Sequence, residues 1–469
     1  MPAPAAPVLV VSISGIRGIV GHGLDPQVMV SFVASFGTWC RRKAEAAGRP
    51  PLVALGRDGR VTGPMYARLV EATLQSVGCH VLQVGLATTP TVQIAVEEAE
   101  AIGGLTLSAS HNPAEWNALK LFNERGEYLG PEEAQTVIDM VEAGEADYVA
   151  YDQIGDVREQ VYLDAHLDRI LAAGLFDPAR IQARGFRVVV DAINSVGALA
   201  VPALLARLGI EASQVVVLNA TPDGRFAHTP EPLPQHLTAT LEAVREHDAD
   251  LGLVVDPDVD RLALVGRGGV YVNEELTQVL CADFIWRRQP GPYVTNLSSS
   301  RAIDDVAARY GMTVHRSKVG EINVVKKMQA VGAVMGGEGS GGIIVPAVHY
   351  GRDALVGIVM ILQHLAEQKR DLLDLVKDLP AYAIVKQKMP LAAVDASTAL
   401  AALSALYADQ DDVRVTTTDG VKLDWPEGWV HVRPSNTEPI LRIYAEGPTT
   451  KQAEALIQRV RTGLDTNAP

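Results

Sequence analysis

The sequence predicts an α/β protein made of three topologically related domains, followed by a smaller α+β domain. Two observations predict this fold. Three stretches repeat the order strand, helix, strand, helix, strand, and each ends in a loop rich in Gly or Asp. After about residue 379 the order changes. The strands are short runs of Val and Leu without a polar face, which is typical of mostly parallel sheets covered by helices on both sides.

The apolar runs place each element in order along the chain. Strands are expected at 52–55, 81–84 and 104–107 in the first stretch, at 187–190, 214–218 and 251–255 in the second, and at 293–296, 313–315 and 333–335 in the third. The last stretch has expected strands at 383–386, 413–417, 429–432 and 441–444 and helices at 396–407 and 451–462. We therefore expect domains at 1–154, 155–265, 266–378 and 379–469. Weak repetition is common in α/β proteins, so the repeat alone leaves an ordinary α/β fold open.

The composition excludes several classes of protein. The chain has 469 residues, 48% of them hydrophobic, and its formal charge of −15 argues against binding a nucleic-acid backbone or an anionic membrane. The first charged residue is Arg17, so the start lacks a basic leader, and no apolar stretch reaches the ~18 residues of a membrane span. Cys40, Cys79 and Cys281 are far apart, which is typical of buried thiols in a reducing compartment. We expect a cytoplasmic protein, either monomeric or dimeric.

One unusual loop belongs to each expected domain, and the first three follow the carboxyl end of a strand, where open α/β sheets bind ligands. The first loop, residues 106–113, reads TLSASHNP. Its small and polar residues can expose the hydroxyl of Ser110, although an ordinary turn has the same composition. The G-x-S-x-G elbow of acyl hydrolases and the nucleotide-binding P-loop are both absent from the sequence.

The second loop, residues 256–261, reads DPDVDR and carries three carboxylates at alternate positions. In an extended backbone alternate side chains share a face, so Asp256, Asp258 and Asp260 can converge on a hard divalent cation. An EF-hand is excluded, because its sixth and twelfth loop positions would be Arg261 and Arg267. A solvated acidic turn is the alternative, but like charges this close repel unless a cation neutralises them.

The third and fourth loops read GGEGSGG (336–342) and RPSNTEP (433–439). The third contains G-x-G-x-x-G, but a strand-like run ending at Pro346 follows instead of a helix, which argues against dinucleotide binding. Glu338 and Ser340 suit hydrogen bonds to sugar hydroxyls, and a flexible glycine turn is the alternative. The fourth loop combines Arg433 with hydroxyl and amide side chains, an inventory that suits a phosphate dianion or an ordinary turn.

In this order the four loops resemble those of the α-D-phosphohexomutase family, over nearly the whole chain from Ser14-Gly15-Ile16-Arg17-Gly18 to the last helix. The resemblance implies four domains around a central cleft and an isomerase. It implies reversible 1,6-phosphoryl transfer on a hexose phosphate, by way of a phosphoserine enzyme and a hexose 1,6-bisphosphate. Mg²⁺ is the implied cofactor, and a small sugar phosphate is the implied partner.

The resemblance also implies roles for individual residues. Ser110 matches the phosphoserine, and Asp256, Asp258 and Asp260 match the Mg²⁺ ligands, joined by an oxygen of phosphorylated Ser110. Glu338 and Ser340 match the sugar-binding loop. The implied site for the second phosphate contains Arg433, Ser435, Asn436 and Thr437. A broader phosphate site is implied more loosely by Lys318 and Gly320, and by Arg352-Asp353. The implied basic residues around the phosphoserine are Arg17, Lys120 and Arg261, and His111 adjoins the nucleophile.

The chain departs from the family pattern at a few positions. Many members have glycines where this chain has Pro257 and Val259, and many bacterial members have histidine where this chain has Gly342. The combination of GGEGSGG, DPDVDR and SGIRGIVG resembles phosphoglucosamine mutases of archaeal type. We therefore expect interconversion of glucosamine 6-phosphate and glucosamine 1-phosphate, with a phosphoglucomutase/phosphomannomutase as the alternative.

Two other functional classes stay open. A Mg²⁺-dependent phosphatase would use an aspartate as nucleophile, although Arg261 after Asp260 breaks the usual D-x-D-x-T pattern. A non-catalytic sugar-phosphate binding protein would need the RPSNTEP loop without needing both Ser110 and the three aspartates.

Overall fold

The computed structural model describes residues 8–390, 396–434 and 440–466. The chain divides into two compact units. The first contains the residues up to Thr277 together with Ser340–Val376, and the second contains Gln278–Gly339 together with the residues from Lys377 onward. Within the described residues, none of the helices has the length and apolar character needed to cross a bilayer.

The first sheet of the first unit has eight strands, and its order is β1-β2-β7-β6-β4-β5-β8, with β3 beside β2. The strands are β1 (Leu9–Ser12), β2 (Gly15–Val20), β3 (Gly23–Leu24), β4 (Leu52–Arg57), β5 (His80–Leu86), β6 (Gly103–Leu107), β7 (Trp116–Asn123) and β8 (Val157–Glu159). The helices are α1 (Pro26–Ala47), α2 (Gly63–Ser76), α3 (Thr89–Glu98), α4 (Pro131–Glu142) and α5 (Leu163–Ala172). The expected strands 52–55, 81–84 and 104–107 all lie within the parallel set β4, β5 and β6.

The second sheet of the first unit is mixed, with the order β10-β9-β11-β12-β13. Its elements are α6 (Pro178–Arg184), β9 (Val188–Asp191), α7 (Gly197–Arg207), β10 (Val215–Leu218), α8 (Thr238–Glu246), β11 (Leu251–Val255), β12 (Leu262–Gly266) and β13 (Val270–Val272). Strands β9, β10 and β11 are parallel, and β12 returns antiparallel to β11. The turn between β11 and β12 is the DPDVDR loop, so this loop lies at the carboxyl end of a buried strand.

The next stretch contributes to both units. Its elements are α9 (Glu275–Trp286), β14 (Tyr293–Asn296), α10 (Ala302–Arg309), β15 (Val314–Ser317), α11 (Glu321–Val331), β16 (Met335–Glu338), β17 (Gly342–Ile344), α12 (Ala354–Gln368) and α13 (Leu372–Lys377). Strand β14 pairs in parallel with β15 and β16 in the second unit, whereas β17 and α12 belong to the first. The strand expected at 333–335 instead runs over Met335–Glu338, so Glu338 ends a strand and does not lie on a flexible turn.

The C-terminal part of the second unit is an antiparallel sheet in the order β18-β22-β21-β20-β19. Its elements are β18 (Ala383–Pro390), α14 (Ala396–Tyr407), β19 (Arg414–Thr416), β20 (Val421–Trp425), β21 (Gly428–Pro434), β22 (Ile440–Gly447) and α15 (Thr450–Thr466). Strand β20 was not expected from the sequence, and it forms a hairpin with β19 across the turn at Asp419 and Gly420. The different topology of this region confirms the predicted change from α/β to α+β.

Candidate active site

Ser110 lies in the loop between β6 and β7, at the carboxyl end of β6. Its φ of +50° places it in the left-handed region, which non-glycine residues seldom adopt outside functional turns. The Ser110 amide donates to the Ser108 hydroxyl at 2.9 Å. The conformation is therefore held by local hydrogen bonding, and Ser110 is 6% exposed.

The serine loop, residues 108–115 between β6 and β7, is held in place by Arg60, a residue that the sequence analysis missed. The Arg60 guanidinium is buried and donates to the carbonyls of Ser110, Asn112, Pro113 and Trp116 at 2.6–2.8 Å. Its Nε donates to Asp58 Oδ2 at 3.1 Å. Burial raises the pKa of Asp58 although the charge of Arg60 opposes this shift. The sequence does contain a signal for Arg60, because the charged run Arg57-Asp58-Gly59-Arg60 begins at Arg57, the last residue of β4.

The three aspartates of residues 256–261, the metal loop, converge as expected, but they do so on a tight turn and not on the extended backbone from which the sequence analysis argued. Asp256, Asp258 and Asp260 are fully buried, and each offers an oxygen within 4.8 Å of the others. Asp256 Oδ1 accepts from the backbone amides of Asp260 and Arg261, both at 3.1 Å. Val259, which lies between Asp258 and Asp260, has a φ of +61°, and this conformation is costly for a β-branched residue. The loop is thus closed tightly around the Asp256 carboxylate.

The serine loop and the metal loop meet directly. The Ser110 hydroxyl donates to Asp256 Oδ2 at 2.6 Å. Asp256 therefore contacts the candidate nucleophile with one oxygen and orders its own loop with the other.

The three aspartates fit a divalent cation. Oδ1 of Asp258 and Oδ1 of Asp260 are buried, and neither has a hydrogen-bond partner among the described residues. A buried carboxylate oxygen without a partner is costly, and hard cations such as Mg²⁺ take such oxygens as ligands. Burial, together with repulsion from Asp260 and Asp258, raises the pKa of Asp256 well above its usual range. A bound cation would relieve both penalties.

Lys120, on β7, is the basic residue in closest contact with the aspartates. Its Nζ donates to Asp258 Oδ2 at 2.5 Å and to Asp260 Oδ2 at 3.2 Å. Burial alone would lower the pKa of Lys120, but the charges of Asp258 and Asp260 outweigh it and raise the pKa well above its usual value. Thr89, the first residue of α3, also donates its hydroxyl to Asp258 Oδ2. Lys120 is therefore a fixed cation at neutral pH.

Arg352 is a second cation on the same carboxylate. Its Nη2 donates to Asp260 Oδ2 at 2.6 Å. Burial would raise the pKa of Asp260, but the charges of Arg352, Lys120 and Arg261 outweigh it and hold the pKa below its usual value. Asp260 is thus ionised and doubly paired.

Two further predicted residues, Arg17 and His111, contact groups near Ser110. Arg17 Nη1 donates to the Asn112 side-chain oxygen at 3.4 Å, and burial, with repulsion from Arg261 and Arg352, lowers the pKa of Arg17. His111 Nδ1 lies 3.4 Å from Ser110 Oγ. Burial, followed by the charges of Arg261 and Arg17, lowers the pKa of His111 well below its usual value. His111 is therefore neutral at pH 7.

Other predicted site residues lie in the second unit. Glu338 Oε1 accepts from Asn296 Nδ2 at 2.8 Å and from the Gly320 amide at 3.2 Å. The loop after β15, which contains Lys318, is joined to the C-terminal sheet by a 2.9 Å bond from the Val319 amide to Asp419 Oδ2. Arg433 is on β21, whereas Ser435, Asn436 and Thr437 lie outside the described residues. Ser340 belongs to the first unit.

A buried network of two histidines and an aspartate contacts α3, the helix that begins beside the metal loop. Asp353 Oδ2 bonds with His166 Nε2 at 2.7 Å and with His349 Nε2 at 3.3 Å, while its Oδ1 caps α12. His166 Nδ1 lies 2.9 Å from the hydroxyl of Thr91 on α3, the helix whose first residue contacts Asp258. His349 and Asp353 are four residues apart, whereas His166 is 187 positions from Asp353 and could not be connected with them from the sequence.

Comparisons with known proteins agree with this geometry. The chain matches four family descriptions in order. These are "Phosphoglucomutase/phosphomannomutase, alpha/beta/alpha domain I" at 10–147, domain II at 164–269, domain III at 274–382, and "C-terminal domain" at 383–463. A "Phosphoglucomutase/phosphomannomutase" of Thermococcus kodakarensis is 34% identical over 95% of this chain and 96% of its own length.

Two further proteins are similar along their whole length. A "Phosphoglucosamine/phosphogalactosamine mutase" of Sulfurisphaera tokodaii is 29% identical over 95% of this chain and 97% of its own. A crystal structure of a phosphoglucomutase/phosphomannomutase family protein from Burkholderia thailandensis superposes with a TM-score of 0.84 at 25% identity, covering 98% of this chain and 99% of that one. The order of the domains, the loops and the fold agree, and the chain belongs to the phosphoglucomutase/phosphomannomutase family of phosphohexomutases.

Proposed function

We propose that this protein is a Mg²⁺-dependent phosphohexomutase that interconverts glucosamine 6-phosphate and glucosamine 1-phosphate through phosphorylated Ser110. The observation that carries the mechanism is the 2.6 Å bond from Ser110 Oγ to Asp256, within a cluster of three buried aspartates. Phosphoryl transfer to and from a serine oxygen needs positive charge around the transferring group, and three carboxylates that could hold a cation lie beside Ser110.

In the forward direction, the phosphoryl group on Ser110 passes to the free hydroxyl of the sugar phosphate. The P–O bond to Ser110 Oγ breaks, a P–O bond to the sugar oxygen forms, and the proton of the sugar hydroxyl ends on Ser110 Oγ. The resulting 1,6-bisphosphate turns over. The P–O bond between its other phosphoryl group and the sugar then breaks, a P–O bond to Ser110 Oγ forms, and the proton that Ser110 Oγ loses ends on the sugar oxygen that leaves. Asp256 Oδ2 accepts the hydrogen bond of the Ser110 hydroxyl and so orients Ser110 Oγ for this step.

The protein's cations stabilise the transferring group. Such a reaction depends on in-line positioning and on neutralising the equatorial oxygens. Asp256, Asp258 and Asp260 would hold Mg²⁺, which supplies Lewis-acid neutralisation of the phosphoryl oxygens when bound. Lys120 remains protonated, so its role is electrostatic, and Arg17 and Arg261 add positive charge around the same loop.

The sugar would be held by residues outside the serine and metal loops. Glu338 has a carboxylate fixed by Asn296 and the Gly320 amide, and it can accept from either an amino or a hydroxyl group. Ser340 is the other proposed sugar-binding residue. The proposed residues for the second phosphate are Arg433, Ser435, Asn436, Thr437 and Lys318. Because Glu338 accepts both substituents, the choice of glucosamine is supported by relatives named as phosphoglucosamine mutases, including those of Methanopyrus kandleri and Sulfurisphaera tokodaii.

The test compares kcat/KM for the 1-phosphates of glucosamine, glucose and mannose, with Mg²⁺ and a trace of glucose 1,6-bisphosphate. We expect glucosamine 1-phosphate to be preferred. A preference of about tenfold or more for glucose or mannose 1-phosphate, a difference of about 1.4 kcal/mol, would instead support the phosphoglucomutase/phosphomannomutase alternative. Release of inorganic phosphate without isomerisation would support a phosphatase.

A further inference from the structure

His166, His349 and Asp353 form a second buried cluster of possible metal ligands, distinct from the three aspartates of the metal loop. Each offers one ligand atom within 4.8 Å of the others, and the three side chains are 0–3% exposed. Asp353 Oδ2 lies 2.7 Å from His166 Nε2 and 3.3 Å from His349 Nε2. Two imidazole nitrogens with one carboxylate oxygen are a ligand set typical of Zn²⁺, whereas Mg²⁺ prefers oxygen ligands.

The charge of the cluster calls for a cation. When both histidines are neutral, the carboxylate of Asp353 leaves one negative charge in the cluster, and a buried charge is costly unless it is paired. Either a proton on one imidazole or a metal ion would balance this charge. The surroundings of His349 distinguish between the two.

The ring of His349 lies beside another buried polar side chain, that of Gln93. Within the part of the chain that the structure describes, His349 Nδ1 and both side-chain polar atoms of Gln93 are buried without a hydrogen-bond partner. The two side chains are neighbours, since a Cβ atom built on Gly351 would lie 2.4 Å from Gln93 Oε1 and 2.7 Å from His349 Cε1. Buried polar groups are seldom left unpaired, so this pair needs an explanation.

A metal ion on His349 Nε2 accounts for both side chains. A neutral imidazole that binds a metal through Nε2 carries its proton on Nδ1, and this proton needs an acceptor such as Gln93 Oε1. In this tautomer the lone pairs of His349 Nε2 and Asp353 Oδ2 face each other at 3.3 Å. They repel unless a cation lies between them.

The other two ligands already have the supporting contacts that metal ligands use. His166 Nδ1 lies 2.9 Å from the hydroxyl oxygen of Thr91, which can accept a hydrogen bond from it and so leave Nε2 free to bind a metal. Asp353 Oδ1 accepts from the amide of Leu355 at 2.8 Å, which fixes the direction of Oδ2. The cluster is therefore oriented from outside.

We propose that His166, His349 and Asp353 form a buried structural site for a divalent metal ion that accepts nitrogen ligands, such as Zn²⁺. The ion would join α5 to the segment that leads into α12 and, through Thr91, would also order α3. Because α3 begins at Thr89, which donates to Asp258, the ion would stiffen one support of the metal loop. The proposal goes beyond the proposed function and does not depend on it.

The test is equilibrium dialysis of chelator-treated protein against Zn²⁺, with millimolar Mg²⁺ present to occupy the three aspartates. We expect about one equivalent of Zn²⁺ per chain, with a Kd of about 1 μM or lower. His349→Gln and His166→Gln should each weaken binding about a hundredfold or more, whereas Thr91→Val, which removes only the supporting hydroxyl, should weaken it about tenfold. The anomalous scattering of Zn²⁺ in crystals locates the ion without any substitution.

Two variants are the matched controls. His247→Gln, at an exposed histidine, and Asp258→Asn, in the metal loop, should both keep the Zn²⁺ site. Thermal unfolding shows whether each variant folds, and Zn²⁺ should raise the Tm of the wild type but not that of His349→Gln.

Three results would overturn the proposal. These are Zn²⁺ bound as tightly by both histidine variants as by the wild type, an anomalous peak at the three aspartates only, and no binding at about 100 μM Zn²⁺. The last result would mean that a proton balances Asp353. Because no sugar phosphate takes part, a wild-type protein without mutase activity would refute the proposed function and leave this result standing.

Discussion

Ser110 Oγ and Asp256 Oδ2 lie 2.6 Å apart although 146 residues separate them in the sequence. The contact joins the carboxyl end of β6 in one sheet to the carboxyl end of β11 in another. Each loop alone has an ordinary explanation as a turn or an acidic surface. Their contact makes a single buried polar centre.

Replacing Arg60 should displace the serine loop. In Arg60→Met, four carbonyls and Asp58 lose their donor, so we expect a loss of about 3–5 kcal/mol in unfolding free energy and a fall in kcat larger than the change in KM. Urea unfolding and steady-state kinetics measure both. Arg158→Met, at an exposed arginine, is the control. Wild-type kcat in a stable Arg60→Met protein would show that Arg60 does not position Ser110.

Removing divalent cations should destabilise the protein. Chelation with EDTA is expected to lower Tm, and Mg²⁺ at about 100 times its Kd should restore about 2.7 kcal/mol. In Asp258→Asn the shift on adding Mg²⁺ should largely disappear, because one buried ligand is lost, whereas exposed Asp152→Asn should keep it. An Asp258→Asn protein that responds to Mg²⁺ like the wild type would place the cation elsewhere.

The pair of His228 and Asp191 should make stability depend on pH. Burial would lower the pKa of His228, but its 3.0 Å bond to Asp191 outweighs this and raises the pKa, while the same bond lowers the pKa of Asp191. The contribution of His228 to the free energy of unfolding is complete below the pKa of histidine in the unfolded chain. It is lost as the pH rises through the higher pKa of His228 in the folded protein. The contribution of Asp191 to the free energy of unfolding is complete above the pKa of aspartate in the unfolded chain. It is lost as the pH falls through the lower pKa of Asp191 in the folded protein.

His228→Gln should therefore be less stable than the wild type by on the order of 1 kcal/mol near about pH 5–6, and the gap should narrow by about pH 9. Urea unfolding across this range measures the gap. A difference that stays constant with pH would mean that His228 is neutral throughout.

Lys422 is expected to cost stability at neutral pH. It is 2% exposed, and burial, with the charge of Arg316 adding to it, lowers its pKa to about 7 despite a 3.3 Å ion pair with Asp424. Since the folded value lies below the unfolded 10.5, the penalty is complete below about pH 7 and fades as pH rises towards 10.5.

Lys422→Met should be more stable than the wild type by about 1–4 kcal/mol at about pH 6, with a smaller gain at about pH 10. Exposed Lys451→Met should change little at either pH. If Lys422→Met is less stable than the wild type at the lower pH, then the ion pair and the ring of Trp429, 4.7 Å away, outweigh burial.

The sequence predicted those parts of the molecule that local pattern determines. Apolar runs located β4, β5 and β6, and the three carboxylates of DPDVDR do lie together, although a turn and not an extended backbone brings them together. Arg60 and His166 were not identified, because the groups that they contact come from distant parts of the chain and no local spacing connects them. The strand expected at 333–335 was placed too early, because residues 336 and 337 were assigned to the loop that follows, although they continue the buried parallel strand β16.

The central claim is that Ser110 carries the phosphoryl group. Intact-mass spectrometry with peptide mapping, after incubation with glucose 1,6-bisphosphate and Mg²⁺, tests it most directly. We predict an increment of about 80 Da on Ser110 that is lost when glucosamine 1-phosphate is added, and no such increment in Ser110→Ala. A phosphoryl group trapped on Asp256, Asp258 or Asp260, or full turnover by Ser110→Ala, would contradict the account.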